Sequence, residues 1–226
     1  ENSCALKFLK TEKTNKKTIE KEMKNIIMQI VLYKKMEEEI KKLKLEGVVP
    51  RIPKIYEIGV YETEDGKNEF YIIMENTGKS LEKYLKENKD SLTLEQKLEL
   101  FKQIAFCVKL MHYSGFIHRD LKPDNTTIKK IDGKDVCYLI DFGFIGHKTM
   151  SVNDIKSLGI ENIKRTLLEI YATLKLPHDE KFISFCELNQ NDSLLCFGYK
   201  GTVNYHPPEI VGKFLGEGKY FTKKFK

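Results

Sequence analysis

The sequence is poor in the features that mark secreted, metal-stapled or membrane proteins. Its 226 residues include five cysteines, an odd number, widely spaced and without a C-x-x-C pair. This pattern is typical of free thiols in a reducing compartment and argues against a disulfide framework or a zinc site. No apolar run approaches the roughly 18 residues that cross a bilayer, and no signal peptide is visible. We therefore expect no membrane association and a cytoplasmic location, with the nucleus left open.

Arginine is also scarce. All but three of the 39 basic residues are lysines, the exceptions being Arg51, Arg119 and Arg165. The net charge is +6, but the lysines are scattered through every segment and do not alternate with aromatic residues in a stripe. We interpret them as solvated faces and expect no nucleic-acid partner. An apolar content of 41% is ordinary for a globular chain of a length that permits a sizeable core.

The most informative motif lies around the second arginine. Residues 118–125 read HRDLKPDN, and residues 141–143 read DFG. Together they supply two carboxylates, one ammonium group and one amide within a short stretch. Phosphoryl transfer needs such a set, because a carboxylate must orient the attacking hydroxyl and positive charge must lie near the migrating group. Magnesium needs hard oxygen ligands, which an amide and a carboxylate provide.

With GTxxYxPPE at residues 201–209, these motifs resemble the eukaryotic protein kinase superfamily. The resemblance implies ATP-dependent transfer of the γ-phosphoryl group to protein substrates, with ATP and Mg²⁺ as cofactors. Asp120 would orient the substrate hydroxyl, and Lys122 would neutralise charge on the γ-phosphoryl group. Asn125 and Asp141 would hold magnesium. The lysine in the loop and the threonine in the downstream motif are similar to the serine/threonine-specific pattern.

The resemblance gives the first two residues of the loop other roles. His118 would be a packing residue without chemistry. Arg119 could pair with a phosphate in the activation segment and order that segment. The candidate acceptors are Thr149, Ser151 and Ser193, with nothing in the sequence to choose between them.

The segment Cys4–Leu9 predicts a buried strand and resembles the family's V-A-I-K strand, in which Lys7 would hold the α- and β-phosphates. Residues 18–45 show helical periodicity and predict one long helix or two abutting ones. The corresponding helix of the family, αC, carries a glutamate that pairs with the strand lysine. The candidates are Glu20, Glu22, Glu37, Glu38 and Glu39. Counting back from the turn at residues 47–53 favours Glu39, which requires an extended segment between Lys7 and the helix.

Residues 54–61 and 68–75 predict an antiparallel pair around the Glu-Asp-Gly turn at 64–66. By the resemblance, the second strand enters the hinge between the lobes. Met74 would be the gatekeeper, and backbone groups of Glu75 and Thr77 would bind the adenine edge.

Ser80 is a candidate helix cap, and Thr93 opens a capping-box pattern. The helix after Thr93 should end at Gly115. Its predicted apolar stripe comprises Leu98, Phe101, Ile104, Ala105, Val108 and Met111. Residues 126–130 and 136–140 then predict a hairpin that carries Asn125 at its start and Asp141 at its end.

The chain departs from the family after residue 144. The stretch before Pro-Pro-Glu is far longer than usual and predicts a helix at about 152–175. Residues 154–159 resemble the start of the family's αF helix, out of order, and we interpret this as a chance match within an insertion. No G-x-G-x-x-G motif occurs in the sequence. The first glycine is Gly47, so the loop that covers the phosphates in the family has no counterpart here.

We therefore expect an incomplete two-lobed α+β kinase-like fold in a single partial domain, residues 1–226. Residues 1–75 would form an N-lobe with a small antiparallel sheet and αC but no glycine-rich loop. Residues 76–226 would form the hinge and a mainly helical C-lobe, truncated after the activation segment and carrying an inserted helical segment at about 150–180. Coding sequence next to this frame should supply the missing parts.

Two other functions remain possible on the sequence. A pseudokinase or inactive fragment acting as a binding scaffold would explain the missing glycine loop, but it gives no reason to keep Lys7, Asp120, Asn125 and Asp141 together. A small-molecule phosphotransferase would share the Asp and Asn placement but not usually the Gly-Thr…Pro-Pro-Glu segment. The turn at residues 47–53 is similar to casein-kinase-like members, whereas Pro-Pro-Glu is closer to the majority pattern.

Overall fold

A computed structural model of the chain describes residues 3–9, 16–147 and 158–176. The strands are β1 (Cys4–Leu9), β2 (Ile55–Glu62), β3 (Asn68–Glu75), β4 (Lys79–Ser80), β5 (Phe116–Ile117), β6 (Thr126–Ile131), β7 (Lys134–Leu139) and β8 (Gly146–His147). The described helices are α1 (Lys16–Lys42), α2 (Leu81–Glu87), α3 (Leu94–Tyr113) and α4 (Glu161–Thr173), with a 3-10 turn at Pro123–Asn125. The expected α+β fold of small antiparallel sheets and helices is confirmed.

The first sheet has the order β1-β3-β2 and is antiparallel throughout. The turn between β2 and β3 is closed by backbone bonds in which Thr63 donates to Lys67 and Gly66 donates to Thr63, each 2.8 Å. Gly66 has a φ of +74°, which glycine adopts without steric cost. The hairpin predicted from the Glu-Asp-Gly turn is therefore confirmed. Lys7 pairs with Ile72 in this register, which fixes β1 at the edge next to β3.

Helix α1 is continuous over 27 residues, and its apolar face belongs to one hydrophobic core with Ile58, Phe70 and Ile72 of this sheet. The residues of α1 in the core are Ile19, Met23, Ile26, Ile27, Met28, Val31, Leu32, Met36 and Ile40. One unbroken helix confirms the first of the two possibilities left by the sequence. The helix runs from Lys16 to Lys42, close to the predicted range of residues 18–45. The segment expected to be extended, between Lys7 and the helix, lies largely outside the described residues.

The helix caps predicted from the sequence are both present. The Ser80 hydroxyl accepts from the backbone N–H of Lys83 at 3.3 Å. At the start of α3, the Thr93 N–H donates to the Gln96 side chain (2.8 Å) and the Gln96 N–H donates to the Thr93 hydroxyl (3.2 Å). These two bonds make a complete capping box and satisfy two of the unpaired N–H groups at a helix start. Helix α3 ends two residues before Gly115, whose φ is +86°.

The buried face of α3 differs in part from the predicted stripe. Leu98 and Phe101 are 48% and 67% exposed. Of the predicted stripe the structure buries Met111, and it also buries Leu100, Cys107 and Leu110, which the stripe does not include. The cause is that α3 packs against β7 and α1, whose positions select one of two apolar stripes that the helix carries. Periodicity identifies both stripes and does not rank them.

A second sheet has the order β4-β6-β7 and lies beside α3. Strands β6 and β7 form the predicted hairpin, with Thr126 opposite Leu139 and Ile131 opposite Lys134. A short pair, β5 with β8, joins the start of the catalytic loop to the segment after Asp141-Phe142-Gly143. The candidate site has two halves, the catalytic loop at residues 118–125 and the Asp-Phe-Gly segment at residues 141–143. The hairpin and this short pair together determine where both halves lie.

Helix α4 confirms that the long stretch after residue 144 contains a helix. It packs against α1 and β2, and its residues Leu167, Ile170 and Tyr171 belong to the main hydrophobic core. The predicted positions before Leu158, the three candidate phosphate acceptors and the motif at 201–209 lie outside the described residues. Within the described ranges, no helix combines the length and apolar character that crossing a bilayer requires.

Candidate active site

Asp120 of the catalytic loop is held by three contacts, two to its carboxylate and one to its backbone carbonyl. Asp120 is 3% exposed, and its Oδ2 accepts from Asn125 Nδ2 at 2.7 Å. The same amide nitrogen donates to the Asp120 carbonyl oxygen at 2.9 Å. Lys122 Nζ lies 3.0 Å from Asp120 Oδ2. A buried carboxylate needs such partners, because an unpaired buried charge is strongly destabilising. Asp120, Lys122 and Asn125 are thus brought together as the sequence predicted.

Charge at this point of the loop is concentrated around the lysine. The hydrogen bond to Asp120 raises the pKa of Lys122, and the negative charges of Asp120, Asp141 and Asp124 add to the effect. Lys122 therefore stays cationic at neutral pH. The electrostatic effect of Asp141 on Lys122 also indicates that the two halves of the site lie near each other.

The β6–β7 hairpin joins those halves. The Ile140 N–H donates to the Asn125 carbonyl oxygen at 3.0 Å, so Asn125 and Asp141 lie at the same end of the hairpin. Asp141 has a φ of +62°, an uncommon backbone conformation that aspartate tolerates better than most residues. Its Oδ1 accepts from the Gly143 N–H at 3.2 Å, which orients the carboxylate. One rigid unit therefore fixes both predicted magnesium ligands relative to Asp120.

The donor set suits magnesium. Both amide hydrogens of Asn125 are directed at Asp120, so its amide oxygen is the group that can bind a cation. No cluster of three or more His, Cys, Asp or Glu side chains with metal-binding geometry occurs among the described residues. Mg²⁺ is commonly bound by one or two carboxylates plus substrate phosphates, so a carboxylate and an amide oxygen fit it better than they fit zinc.

His118 is buried (1% exposed) and is used for packing. Its Nε2 lies 3.0 Å from the Ile140 carbonyl, and its Nδ1 accepts from the Asp120 N–H at 3.4 Å. Burial lowers the pKa of His118, which favours the neutral ring that can donate at one nitrogen and accept at the other. The ring centroid lies 5.4 Å from that of Phe142. His118 thus ties the loop to the strand before Asp141.

Arg119 ties the same loop to the segment that follows Gly143. Its Nε donates to the Phe144 carbonyl (2.6 Å) and its Nη2 to the Ile145 carbonyl (2.9 Å). The planar guanidinium group makes both bonds at once, which lysine would not reproduce. A Cβ on Gly146 would lie 3.1 Å from Arg119 Nε, so the close approach favours glycine there.

The strand lysine pairs with a different glutamate from the one predicted. Lys7 Nζ forms an ion pair and hydrogen bond with Glu22 Oε1. The predicted partner, Glu39, lies 3.4 Å from Lys42 on its own helix, so the Glu39 prediction is wrong. The two glutamates are 17 residues apart on one continuous helix, or about 25 Å. Counting back from the turn at residues 47–53 gives the wrong glutamate, because α1 extends several turns beyond Glu22.

Comparison with known proteins agrees with this geometry. The sequence matches the protein kinase domain family over residues 1–225. The chain belongs to the protein kinase domain family.

Individual relatives match shorter stretches of this kinase domain. The serine/threonine-protein kinase PTK2/STK2 of Saccharomyces cerevisiae is 36% identical over 162 residues, covering 72% of the chain and 14% of that protein. The serine/threonine-protein kinase PTK2 of Candida glabrata is 46% identical over 80 residues, 35% of the chain and 9% of that protein. Sperm motility kinase 2B of Mus musculus is 39% identical over 87 residues, 38% of the chain and 17% of that protein. The matched part of the chain thus spans less than a fifth of each of these relatives.

The predicted hinge follows β3, whose last residue is Glu75. The Glu75 N–H donates to the Lys54 carbonyl at 2.8 Å, so adenine would meet the Glu75 carbonyl and not its N–H. Thr77 is 7% exposed, and its hydroxyl accepts from the Thr127 hydroxyl at 2.8 Å. This bond anchors the hinge to β6. The adenine contacts of Glu75 and Thr77 stay predictions.

Sequence reasoning missed the contacts that α1 makes with the Asp-Phe-Gly segment. Lys21 Nζ lies 5.1 Å from the centroid of the Phe144 ring. A Cβ on Gly143 would lie 3.6 Å from Asn25 Nδ2. Both side chains come from the same turns of α1 as Glu22. Their only signal in the sequence is proximity to Glu22, one of the candidate partners of Lys7.

Proposed function

We propose that this kinase domain catalyses ATP-dependent phosphorylation of serine and threonine hydroxyls in protein substrates. The observation that carries the proposal is the buried Asp120 carboxylate, held at 2.7 Å by Asn125 and at 3.0 Å by Lys122. A carboxylate fixed in this way is suited to orienting a hydroxyl and accepting its proton. The names of the matched serine/threonine kinases support the choice of substrate hydroxyl.

Each side chain has a distinct task in the proposed reaction. Asp120 would accept a hydrogen bond from the substrate hydroxyl and orient its oxygen toward the γ-phosphorus. Lys122, kept cationic by Asp120, would offset the negative charge on the transferring group. Lys7, held by Glu22, would bind the α- and β-phosphates. Catalysis would thus rest on placement and electrostatics, as phosphoryl transfer requires.

Magnesium would be held by Asn125 and Asp141, where it would neutralise charge on the ATP phosphates. The orientation of Asn125 by Asp120 supports this assignment, because it leaves the amide oxygen as the available group. Binding of ATP should then depend on Mg²⁺ and on Asp141. We also propose a cytoplasmic location, which the free thiols of Cys4, Cys107 and Cys137 support. We propose protein substrates as well, which the names of the relatives support.

The alternative function is a non-catalytic scaffold, which would have no need of the nucleotide. MgATP binding by calorimetry separates the two readings. The kinase proposal expects binding in the wild-type chain and its loss in Asp141→Ala, whereas a scaffold that does not use nucleotide shows no binding in either.

The substrate class is tested with a degenerate peptide library and γ-labelled ATP. Label on serine and threonine after acid hydrolysis of the peptides is the expected result. Label on tyrosine alone, or transfer only to small alcohols and amines offered in parallel, would contradict the proposal. Lys122→Met serves as a variant in which the ammonium group is removed at similar side-chain length.

A further inference from the structure

Helix α4 contacts the same turns of α1 that carry Glu22. Tyr171 on α4 donates its hydroxyl to Glu20 Oε1 at 2.8 Å, and both residues are buried (5% and 8% exposed). Leu167 and Ile170 of α4 lie in one hydrophobic core with Ile27 and Val31 of α1. The contact is therefore part of the packed interior and not a surface touch.

Glu20 and Glu22 project from opposite sides of one turn. Residues two positions apart in an α-helix are separated by about 200° around the axis and about 3 Å along it. Glu22 is directed at Lys7 on β1, whereas Glu20 is directed at Tyr171 on α4. This turn of α1 is thus held between the sheet that carries the phosphate-binding lysine and the helix that follows the Asp-Phe-Gly segment.

A second contact fixes α1 further along. Lys34 Nζ donates to the carbonyl of Leu158, three residues before α4 begins. Lys34 follows Glu20 by 14 residues, which places it about 21 Å away and within about 40° of the same side of the helix. Two polar anchors on one face, with buried apolar side chains between them, define both the axial position and the rotation of α1.

The geometry points to a positioning role for α4: it is an in-chain support that holds α1 so that Glu22 stays against Lys7. Rotation or withdrawal of α1 would break the Tyr171–Glu20 and Lys34–Leu158 bonds as well as the Lys7–Glu22 pair. Tyr171 and Lys34 are then positioning residues, since neither touches the residues proposed to bind substrate. The catalytic part of this inference rests on the proposed kinase function, and the structural part does not.

The catalytic test is a double-mutant cycle in the 226-residue chain. Tyr171→Phe removes one hydroxyl from α4 and should lower kcat/KM for ATP about threefold to tenfold, the range expected for losing one typical intramolecular hydrogen bond. In a Glu22→Gln background, where the pair with Lys7 is already lost, the same substitution should change kcat/KM by less than about twofold. Tyr113→Phe is the matched control, since Tyr113 is 58% exposed at the end of α3.

Equal losses in the two backgrounds would overturn the positioning role, because a purely structural effect does not depend on Glu22. No loss in the wild-type background would overturn it as well. Should Tyr171→Phe fail to fold, Lys34→Met removes the second anchor and is taken through the same cycle with the same expectations.

A readout independent of catalysis is amide hydrogen exchange. Tyr171→Phe should accelerate exchange at residues 19–26 of α1 by about fivefold or more, while the amides of α3 keep their wild-type rates. Unchanged exchange in α1, or equal acceleration in α3, would overturn the support itself. Absence of phosphoryl transfer in the wild-type chain would refute the proposed function and leave the exchange result to decide the role of α4.

Discussion

The pairing of Lys7 with Glu22 gives a sharp contrast between two glutamates on one helix. Glu22→Gln should lower kcat/KM for ATP strongly while changing the free energy of unfolding little. The ion pair is partly exposed, with 47% of the Lys7 side chain and 22% of the Glu22 side chain accessible. Pairs of this kind contribute about 0.2–1 kcal/mol to stability, and we expect a loss within that range.

The catalytic effect should be much larger, because Lys7 is the residue proposed to bind the α- and β-phosphates of ATP. Without Glu22, the ammonium group is free to leave the position in which it would hold the phosphates. A misplacement of about 1 Å can cost about 10²-fold in rate, so we expect a 10- to 100-fold loss in kcat/KM. Glu39→Gln is the matched control. Within the described residues Glu39 forms an ion pair with Lys42, whose side chain is 73% exposed, so the substitution should change neither quantity measurably.

The assay combines steady-state transfer from γ-labelled ATP with urea unfolding of each variant. A positioning role of Glu22 for Lys7 is refuted if Glu39→Gln loses as much activity as Glu22→Gln, or if Glu22→Gln retains wild-type kcat/KM. A Glu22→Gln loss of several kcal/mol in unfolding free energy would also contradict it, since the activity loss would then reflect unfolding.

Three further predictions concern other parts of the structure. Tyr84→Phe removes the 2.6 Å bond to Asp135 Oδ2 and should lower the unfolding free energy by about 1–3 kcal/mol in chemical denaturation, whereas no change would contradict the contact. Burial raises the pKa of Cys107 to about 12, so N-ethylmaleimide at pH 8 should label the exposed Cys4 and spare Cys107 in peptide mass spectra of native protein; rapid labelling of Cys107 would contradict its burial. The pKa of His118 is lower in the folded protein than in the unfolded chain, so the unfolded chain takes up a proton at this residue at a higher pH. The stability that the buried neutral ring contributes is therefore complete above about pH 6.5 and is lost as the pH falls. Thermal unfolding between pH 7.5 and 5.5 should show a steeper acid loss in wild type than in His118→Phe, and identical slopes would count against it.

Local chemistry made several elements predictable from the sequence. The Glu-Asp-Gly turn, the Thr93 capping box and the Ser80 cap act through bonds between residues two to four apart, and all are present in the structure. The catalytic loop was predictable for the same reason. Asn125 lies only five residues after Asp120 in the sequence, so the contact between them is local and follows from the motif.

Contacts between distant segments were not predictable in the same way. The partner of Lys7 depends on where α1 begins, and helix starts are poorly fixed by periodicity alone. The buried side of α3 depends on β7 and α1, and Leu98 and Phe101 satisfy the helical pattern as well as the residues that are buried. The bond between Tyr171 and Glu20 spans 151 residues, and no local pattern encodes it.

The central claim is that Asp120 acts on the substrate hydroxyl in a site built with Lys122, Asn125 and Asp141. Single-turnover transfer from γ-labelled ATP by Asp120→Asn tests this most directly, with MgATP affinity measured on the same preparation. We predict a rate lower by about 10²- to 10⁴-fold at an affinity within about twofold of wild type. A wild-type transfer rate in Asp120→Asn would contradict the account.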